Sequence, residues 1–396
     1  MRVPTELTID PAKDWPRVQD CKEWFLDDFE QLQREHHRRF LEELMRFERQ
    51  WFLNAEPYQR HVERTDQANG FYQRRLTTRL GVLTLTVPRT RSGLFHPQVL
   101  PRYQRREPAV DAAIRQVFLL GVSTRQTGRA LATLISDAVS AATVSAVSKS
   151  LDVAVGAWHR RELSDQYRYL ILDAVSVRIR LVGKTLRRQA LCAYGIDTDG
   201  RRELIDFLIV PSESEQNWRS LLEELWRRGL RGQTLRLITT DGHAGLEAAL
   251  RQVWPRVAHQ RCWVHKLRNL ENKLKRSQHE CLEQAKLIYQ AAHRREAVAR
   301  FRAWRARWRR VAPKAVACVE RDLEELLSFY DCPATHRKMV RSTNVIERLF
   351  VEVRRRIRTM CAFTTRDSCE RILFSVFHRM NQHWTRYPLK PFTQKN

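Results

Sequence analysis

The 396-residue chain has the length of two or three domains, and 43% hydrophobic residues supply a buried core, which excludes a disordered tail protein. Its formal charge of +26, from 71 Lys and Arg against 45 Asp and Glu, opposes compaction unless a polyanion neutralises it, so nucleic acid is the expected partner. No apolar run approaches the roughly 18–20 residues of a membrane span. The start, MRVPTELTIDPAKDW, has no apolar signal core. Cysteines 21, 192, 262, 281, 318, 332, 361 and 369 lack paired short spacings and read as reduced thiols, so the expected location is cytoplasmic and nucleoid-associated. Only 12 of the basic residues are Lys. Arg favours bidentate phosphate contacts, but a GC-rich gene gives the same bias.

In chain order, the first expected region is helical, over 1–70. Trp24, Phe25, Phe29, Leu32, Phe40, Leu44, Phe47 and Trp51 recur at helical spacing over 20–53, with charges between. Such a helix either packs on its own domain or mediates self-association. Residues 71–90, FYQRRLTTRLGVLTLTVPRT, alternate around Gly81 and read as an Arg-studded β-hairpin, part of a small DNA-binding region over 71–106. The stretch 107–155 then turns helical. PAVDAAIRQVFLLG stops at Gly121, Ser123 can cap STRQTGRALATLI, and a third helix spans 140–151. Three short helices around a tight turn suit a helix-turn-helix DNA reader, with Arg125 and Arg129 as candidate DNA contacts. Any small helical bundle has the same texture.

Residues 165–266 alternate strands and helices. Strands are expected over 169–183, 185–197, 203–211 and 235–242, with a fifth over 257–265; helices are expected over 217–230 and 244–255. The result is an α/β fold with a mixed five-stranded sheet covered by helices. An all-helical, charge-rich segment follows over 267–338. The last part, 339–396, begins with a helix over 343–358 and continues into a C-terminal helical segment.

Asp173 is the most informative residue, because it lies within the apolar run Tyr169, Leu170, Ile171, Leu172 and Val175. A buried carboxylate there needs a hydrogen-bond network, a cation or a metal. Asp241 ends another apolar strand, where α/β sheets place ligands, or it caps the following helix. Asp206 also falls in a strand, but its neighbours suit an edge strand with one wet face. Glu347 begins a helix at capping-box spacing from Asn344, with Glu352 as a rival on the same helix. Glu347 shares a stripe with Arg354 and Arg358 that could face a phosphate backbone. Spacing alone does not choose between the two glutamates. Three acids of this kind suit a pair of Mg²⁺ ions roughly 3.5–4 Å apart, the arrangement used for phosphodiester displacement. Cys262 and His265 have C-x2-H spacing but no second pair for zinc. Gly183-Lys184-Thr185 lacks the upstream glycine of a P-loop, and there is no G-x-S-x-G elbow.

The order of motifs resembles the Mutator-type transposases of bacterial insertion sequences. The matching stretches are ILDAVSVRIR, ESEQNWRSLLEELWRRGLRG, LITTDGHAGLEAAL, HQRCWVHKLRN and STNVIERLFVEVRRRIRTM, preceded by TTRLGVLTLTVPRTRSGLF and GVSTRQTGRAL. The likeness covers about 70–390. It implies an RNase H-like catalytic domain interrupted by an all-helical insertion. It also implies a DDE triad of Asp173, Asp241 and Glu347, holding Mg²⁺ with Mn²⁺ as a substitute, and selects Glu347 over Glu352. Cys262 and His265 match a motif associated with the active site, while Phe350 stands where many members have Asn. The implied activity is strand cleavage at terminal inverted repeats followed by strand transfer, on double-stranded DNA, by a homodimer or larger synaptic assembly. Arg354, Arg355 and Arg358 join Arg125 and Arg129 as candidate DNA contacts. Two alternatives remain: an inactive transposase-derived sequence-specific DNA-binding protein, and another RNase H-like nuclease such as a junction resolvase.

Overall fold

The computed structural model describes residues 22–393 except 121, 123, 136–138 and 182. The expected helix stop at Gly121 and cap at Ser123 lie outside the described residues, as do Cys21 and the side chains of Trp24 and Phe25. The chain divides into two compact units, Met1–Phe118 with Ser123–Ser148, and Leu119–Val122 with Lys149–Asn396.

In the first unit a long helix, α1 (Lys22–Leu53), packs on the antiparallel hairpin of β1 (Ala68–Thr78) and β2 (Gly81–Thr90). Strand alternation sends Leu76, Leu83, Leu85 and Val87 to one face, where they meet Met45 of α1 and Leu100. Gly81, at φ +112°, makes the tight reversal that a side chain would resist. The face that α1 buries is not the one its periodicity suggests. Met45, Leu53 and Glu42 are buried, whereas Leu32, Phe40, Phe47 and Trp51 are exposed, Trp51 at 77%. The reason is polar. Glu42 accepts the Thr86 amide at 2.8 Å and pairs with Arg38, which fixes the rotation of the helix on the hairpin. Three helices follow, α2 (Pro108–Leu119), α3 (Thr124–Ile135) and α4 (Ala141–Lys149). A Cβ on Gly128 of α3 would lie 2.1 Å from the Val139 carbonyl, so only glycine permits this approach of α3 to the chain entering α4.

The second unit includes α5 (Leu151–Arg160), a helix beyond the one expected to end at residue 151. The sheet strands are β3 (Tyr167–Leu181), β4 (Lys184–Asp197), β5 (Arg202–Val210), β6 (Leu237–Thr240) and β7 (Ala258–Arg261). Their order is β5-β4-β3-β6-β7, antiparallel from β5 to β3 and parallel from β3 to β7. This is the mixed five-stranded α/β sheet expected. One face is covered by α6 (Glu215–Arg227) and α7 (Ala244–Val253), whose Trp218, Leu222, Leu246 and Leu250 pack on Leu170, Leu172 and Leu191. The last strand is shorter than its expected span of 257–265. It ends at Arg261, and Cys262 becomes the N-cap of α8 (Trp263–Glu271).

The chain then runs through α9 (His279–Tyr289), α10 (Arg294–Trp308), α11 (Pro313–Arg321), α12 (Leu323–Leu327) and α13 (Ala334–Val340). It returns to the sheet with α14 (Asn344–Met360), α15 (Arg366–Arg386) and α16 (Lys390–Thr393). Residues Ile346, Leu349, Phe350 and Val353 form the buried stripe of α14. Phe350 is thus core. After α14 the backbone of Phe363 bonds to Arg178 and Arg180, each at 2.9 Å, and covers the edge of β3 beyond β6. Among the described residues no helix is long and apolar enough to cross a membrane.

Candidate active site

The β3–β6 register pairs Ile171 with Thr239. Continued by two residues, it sets Asp241 alongside Asp173, at the carboxyl end of β6. By alternation Asp173 lies on the face of β3 that carries Tyr169 and Ile171, opposite the Leu170 and Leu172 core. Tyr169 there bonds His336 of α13 at 2.9 Å, so this face belongs to the closing helices. Asp173 is 9% exposed, and its Oδ1 accepts the Ala174 amide at 2.8 Å. Its pKa is raised to about 7: burial raises it most, that hydrogen bond opposes the rise, and the charges of Asp241 and Glu347 add to it while His265 lowers it. Thus Asp241, Glu347 and His265 all act on Asp173.

Asp241 does not cap α7 itself. Its Oδ1 accepts the amide of His243, the N-cap residue, at 3.0 Å, which fixes the turn out of β6. Nor does Glu347 close a capping box. The N-cap of α14 is Thr343, and Glu347 turns instead toward His265, with Oε1 3.7 Å from Nε2. Glu352 is drawn elsewhere, among Arg355, Arg356 and Arg379 at 3.5 to 4.0 Å.

Cys262 and His265 are brought together with Thr343. The Cys262 amide bonds the Thr240 carbonyl at 2.7 Å, and its Sγ accepts the Thr343 amide at 3.3 Å and hydroxyl at 3.5 Å. The Thr343 Oγ1 is 3.4 Å from His265 Nδ1. Hydrogen bonding to Cys262 raises the imidazole to about 9 against burial, helped by the charges of Asp173 and Asp241. Burial pushes the Cys262 thiol up, but hydrogen bonds from His265 and Thr343 bring it below its ordinary value. Two residues of this neighbourhood escaped the sequence reading. One is Thr343. The other is Glu213, half-buried before α6, which burial and the charge of Asp241 hold above the usual carboxylate range. Glu213 lies inside the ESEQNW stretch, and an acid in a loop at the carboxyl end of the sheet was the available signal.

Asp206 corrects its expectation. It sits on the edge strand, yet it is 3% exposed, paired with Arg228 and 2.6 Å from His159 Nδ1. The wet face is covered by α5 and the end of α6, which bring His159 and Arg228 to it from far apart in sequence.

Among the described residues, the trio of ligand-type side chains with atoms all within 4.8 Å is Glu247, His259 and Glu325. Arg261 bonds both glutamates as well as Asp322, so a guanidinium already neutralises that trio. The set Asp173, Asp241 and Glu347 is more open than this. Its donors are carboxylate oxygens, suited to a hard divalent ion. Burial and mutual repulsion raise Asp173, a cost that a bound cation relieves. The residues therefore fit such an ion. The candidate DNA contacts Arg125, Arg129, Arg354, Arg355 and Arg358 are all exposed, with Arg355 reaching Glu352 at 3.5 Å.

A family profile described as "Transposase, Mutator family" matches residues 13–387. The transposase of insertion sequence element ISRM5 from Rhizobium meliloti is 37% identical over 352 residues, 89% of this chain and 88% of that protein. The transposase of IS406 from Burkholderia multivorans is 37% identical over 351 residues, 88% and 90% of the two chains. The transposase of IS256 in transposon Tn4001 from Staphylococcus aureus is 35% identical over 347 residues, 86% and 88%.

Proposed function

The chain belongs to the Mutator family of transposases, and from that premise we propose that it is a DDE transposase of its insertion sequence, acting on DNA in the cytoplasm through Asp173, Asp241 and Glu347. The observation that carries this reading is the convergence of three acids from β3, the end of β6 and α14 on one buried point, where the charges of Asp241 and Glu347 both act on Asp173. On this reading the sheet and closing helices form an RNase H-like domain, and the helices between β7 and α14 are its insertion.

Asp173 and Asp241 would hold divalent ions, Mg²⁺ or Mn²⁺, and Glu347 would complete their coordination. Such ions supply Lewis acidity and charge neutralisation at the phosphate. The chain's residues position the rest. The Ala174 and His243 amides orient the two aspartates, and His265, held by Thr343, sets the Glu347 carboxylate. Water attacks the phosphodiester at the element's end and a 3′-hydroxyl leaves. That hydroxyl then attacks a second phosphodiester and displaces its 3′-oxygen, which leaves as a hydroxyl, so no covalent bond to the protein is formed.

The first unit would recognise the terminal repeats. Its support is a basic cavity of about 700 Å³ between β1 and the start of α4, lined by Arg74, Arg75, Arg102, Arg105 and Arg106 with Tyr72 and Tyr103. Helices α2 to α4 would act as a helix-turn-helix. Exposed Leu32, Phe40, Phe47 and Trp51 on α1 support the self-association that joining two ends requires.

The test is strand cleavage of labelled DNA carrying the repeats that flank the gene, with Mg²⁺ or Mn²⁺, for wild type and Asp241→Ala. Metal-dependent nicking at the repeat boundary that vanishes in the variant is expected. Tight repeat binding without cleavage by either protein would favour the inactive DNA-binding alternative. Equal cleavage by both would remove Asp241 from the triad.

A further inference from the structure

A second cavity, of about 500 Å³, lies at the start of α14 and is not used by the mechanism above. Its cations are Arg202, Lys338, Arg341 and Arg348, and no acid lines it. Elsewhere in this unit cations commonly find carboxylates: Arg228 pairs with Asp206, Arg371 with Asp152, Arg294 with Glu324 and Asp331. Here they do not. Arg202 bonds the Tyr387 carbonyl, at 3.1 Å, and lies over the Trp384 ring, while Arg341 lies over the ring of Tyr289 at 4.7 Å. Among the described residues none of the four has a carboxylate partner. Four like charges around one cavity repel each other, and the arrangement becomes favourable when an anion enters.

The rest of the lining is uncharged and mostly apolar, including Val264, Leu267 and Met380, with Ser342 and Asn344 at its polar end. The volume falls in the range of small-molecule sites, roughly 300–1,000 Å³, and is too narrow for a duplex. Its place is equally specific. Arg348 follows Glu347, Val264 lies between Cys262 and His265, and Ser342 precedes Thr343, so chain neighbours of the candidate site residues line the cavity at the start of α14 and α8.

We propose that this pocket seats one unstacked nucleotide of the strand being cut, with its phosphate among the four cations and its base on the apolar wall. The proposal rests on the transposase reading. It supplies what the acidic centre lacks, an attraction for the polyanionic substrate next to carboxylates that repel it. Seating a nucleotide also fixes the strand's register, so the pocket selects which phosphate reaches Asp173 and Asp241.

The experiment uses the full chain and duplexes of the element's end with 2-aminopurine placed in turn at each position flanking the cut. Lys338 and Arg348 are exposed, so Lys338→Ala with Arg348→Ala leaves the fold intact, and thermal unfolding checks that it does. Wild type and Asp241→Ala should both give a fluorescence rise at one flanking position. The double alanine variant should lose the rise, and its log affinity should fall less steeply with log salt, the slope shrinking by about one to two. Lys338→Arg with Arg348→Lys should restore both. Binding of the duplexes by wild type with no rise at any position overturns the proposal, as does a rise that survives in the alanine variant. A lower salt slope with no 2-aminopurine signal shows a backbone contact and refutes the seated base. Equal cleavage by wild type and Asp241→Ala defeats the triad and leaves the fluorescence result to judge the pocket. No binding to the element's end defeats both.

Discussion

Two buried aspartates on one sheet meet opposite fates. Asp173 on the central strand and Asp206 on the edge strand are 9% and 3% exposed, and each accepts the amide of the residue after it, at 2.8 and 2.7 Å. Around Asp206 the fold adds the Arg228 guanidinium and the His159 ring. Around Asp173 it adds two more carboxylates, and the imidazole at hand is 3.7 Å from Glu347. Burial of a charge is therefore not the mark of a reactive site, because a paired buried acid is an ordinary structural device. What marks Asp173 is that, among the described residues, no cation pairs with it directly: the nearby imidazole of His265 sits against Glu347 and only partly offsets the burial.

The contrast breaks most sharply in activity. Asp173→Asn and Asp241→Asn should each lower metal-dependent cleavage by more than about 100-fold, the upper end of what losing an outer-shell partner costs. Binding to the terminal repeats should be unchanged by gel shift. Asp206→Ala should do the reverse. It leaves Arg228, with a side chain 6% exposed, buried without its partner, a loss of about 3–5 kcal/mol. Urea unfolding should show a lower midpoint with a similar slope, and per folded molecule cleavage should persist. Loss of activity without loss of stability in Asp206→Ala would sink the distinction drawn between the two acids.

A third prediction concerns stability and pH. The folded Asp173 titrates near 7 and the unfolded side chain near 3.8, so the protein resists ionising it. Below the unfolded value both states are protonated and nothing is lost. As pH rises toward 7 the folded state falls progressively behind, and above 7 the penalty is complete. Asp173→Asn should accordingly raise the melting temperature of the metal-free protein at pH 8, by an amount that shrinks toward pH 4. Added Mg²⁺ should stabilise the wild type and not the variant. A variant less stable than wild type at pH 8 without metal would show that the carboxylate has a cationic partner after all.

The difference between the two acids was only half legible in the sequence. The apolar neighbours of Asp173 and the loop after β6 mark candidate positions, because strand periodicity and the ends of parallel strands are local properties. The covering of Asp206 is not local. Its partners, His159 and Arg228, stand on elements whose docking no nearby residue encodes, so an edge strand reads as wet when it is not. The same limit hid the exposed row of α1, whose rotation is set by Glu42 reaching Thr86. It also cut the expected last strand from 257–265 to Ala258–Arg261, because Cys262 turns out of the sheet to meet Thr343, 81 residues on. Glu347 and Glu352 differ by little more than one helical turn, and their partners, His265 for one and Arg379 for the other, lie on different elements.

The smallest effect should come from Thr343→Val. The substitution keeps the shape and the backbone amide that bonds Cys262 Sγ, and removes the hydroxyl shared between that sulfur and His265 Nδ1. With the hydroxyl gone, the imidazole loses one of the contacts fixing its plane, and Glu347 loses a fixed neighbour rather than a ligand atom. Cleavage should fall by about 10-fold, toward the lower end of outer-shell losses, with KM for the DNA end unchanged and kcat carrying the defect. Thr343→Ser, which retains the hydroxyl, should recover most of the rate. If serine and valine behaved alike, the hydroxyl would have no part in setting Glu347, and the contrast with Asp206 would rest on Asp173 and Asp241 alone.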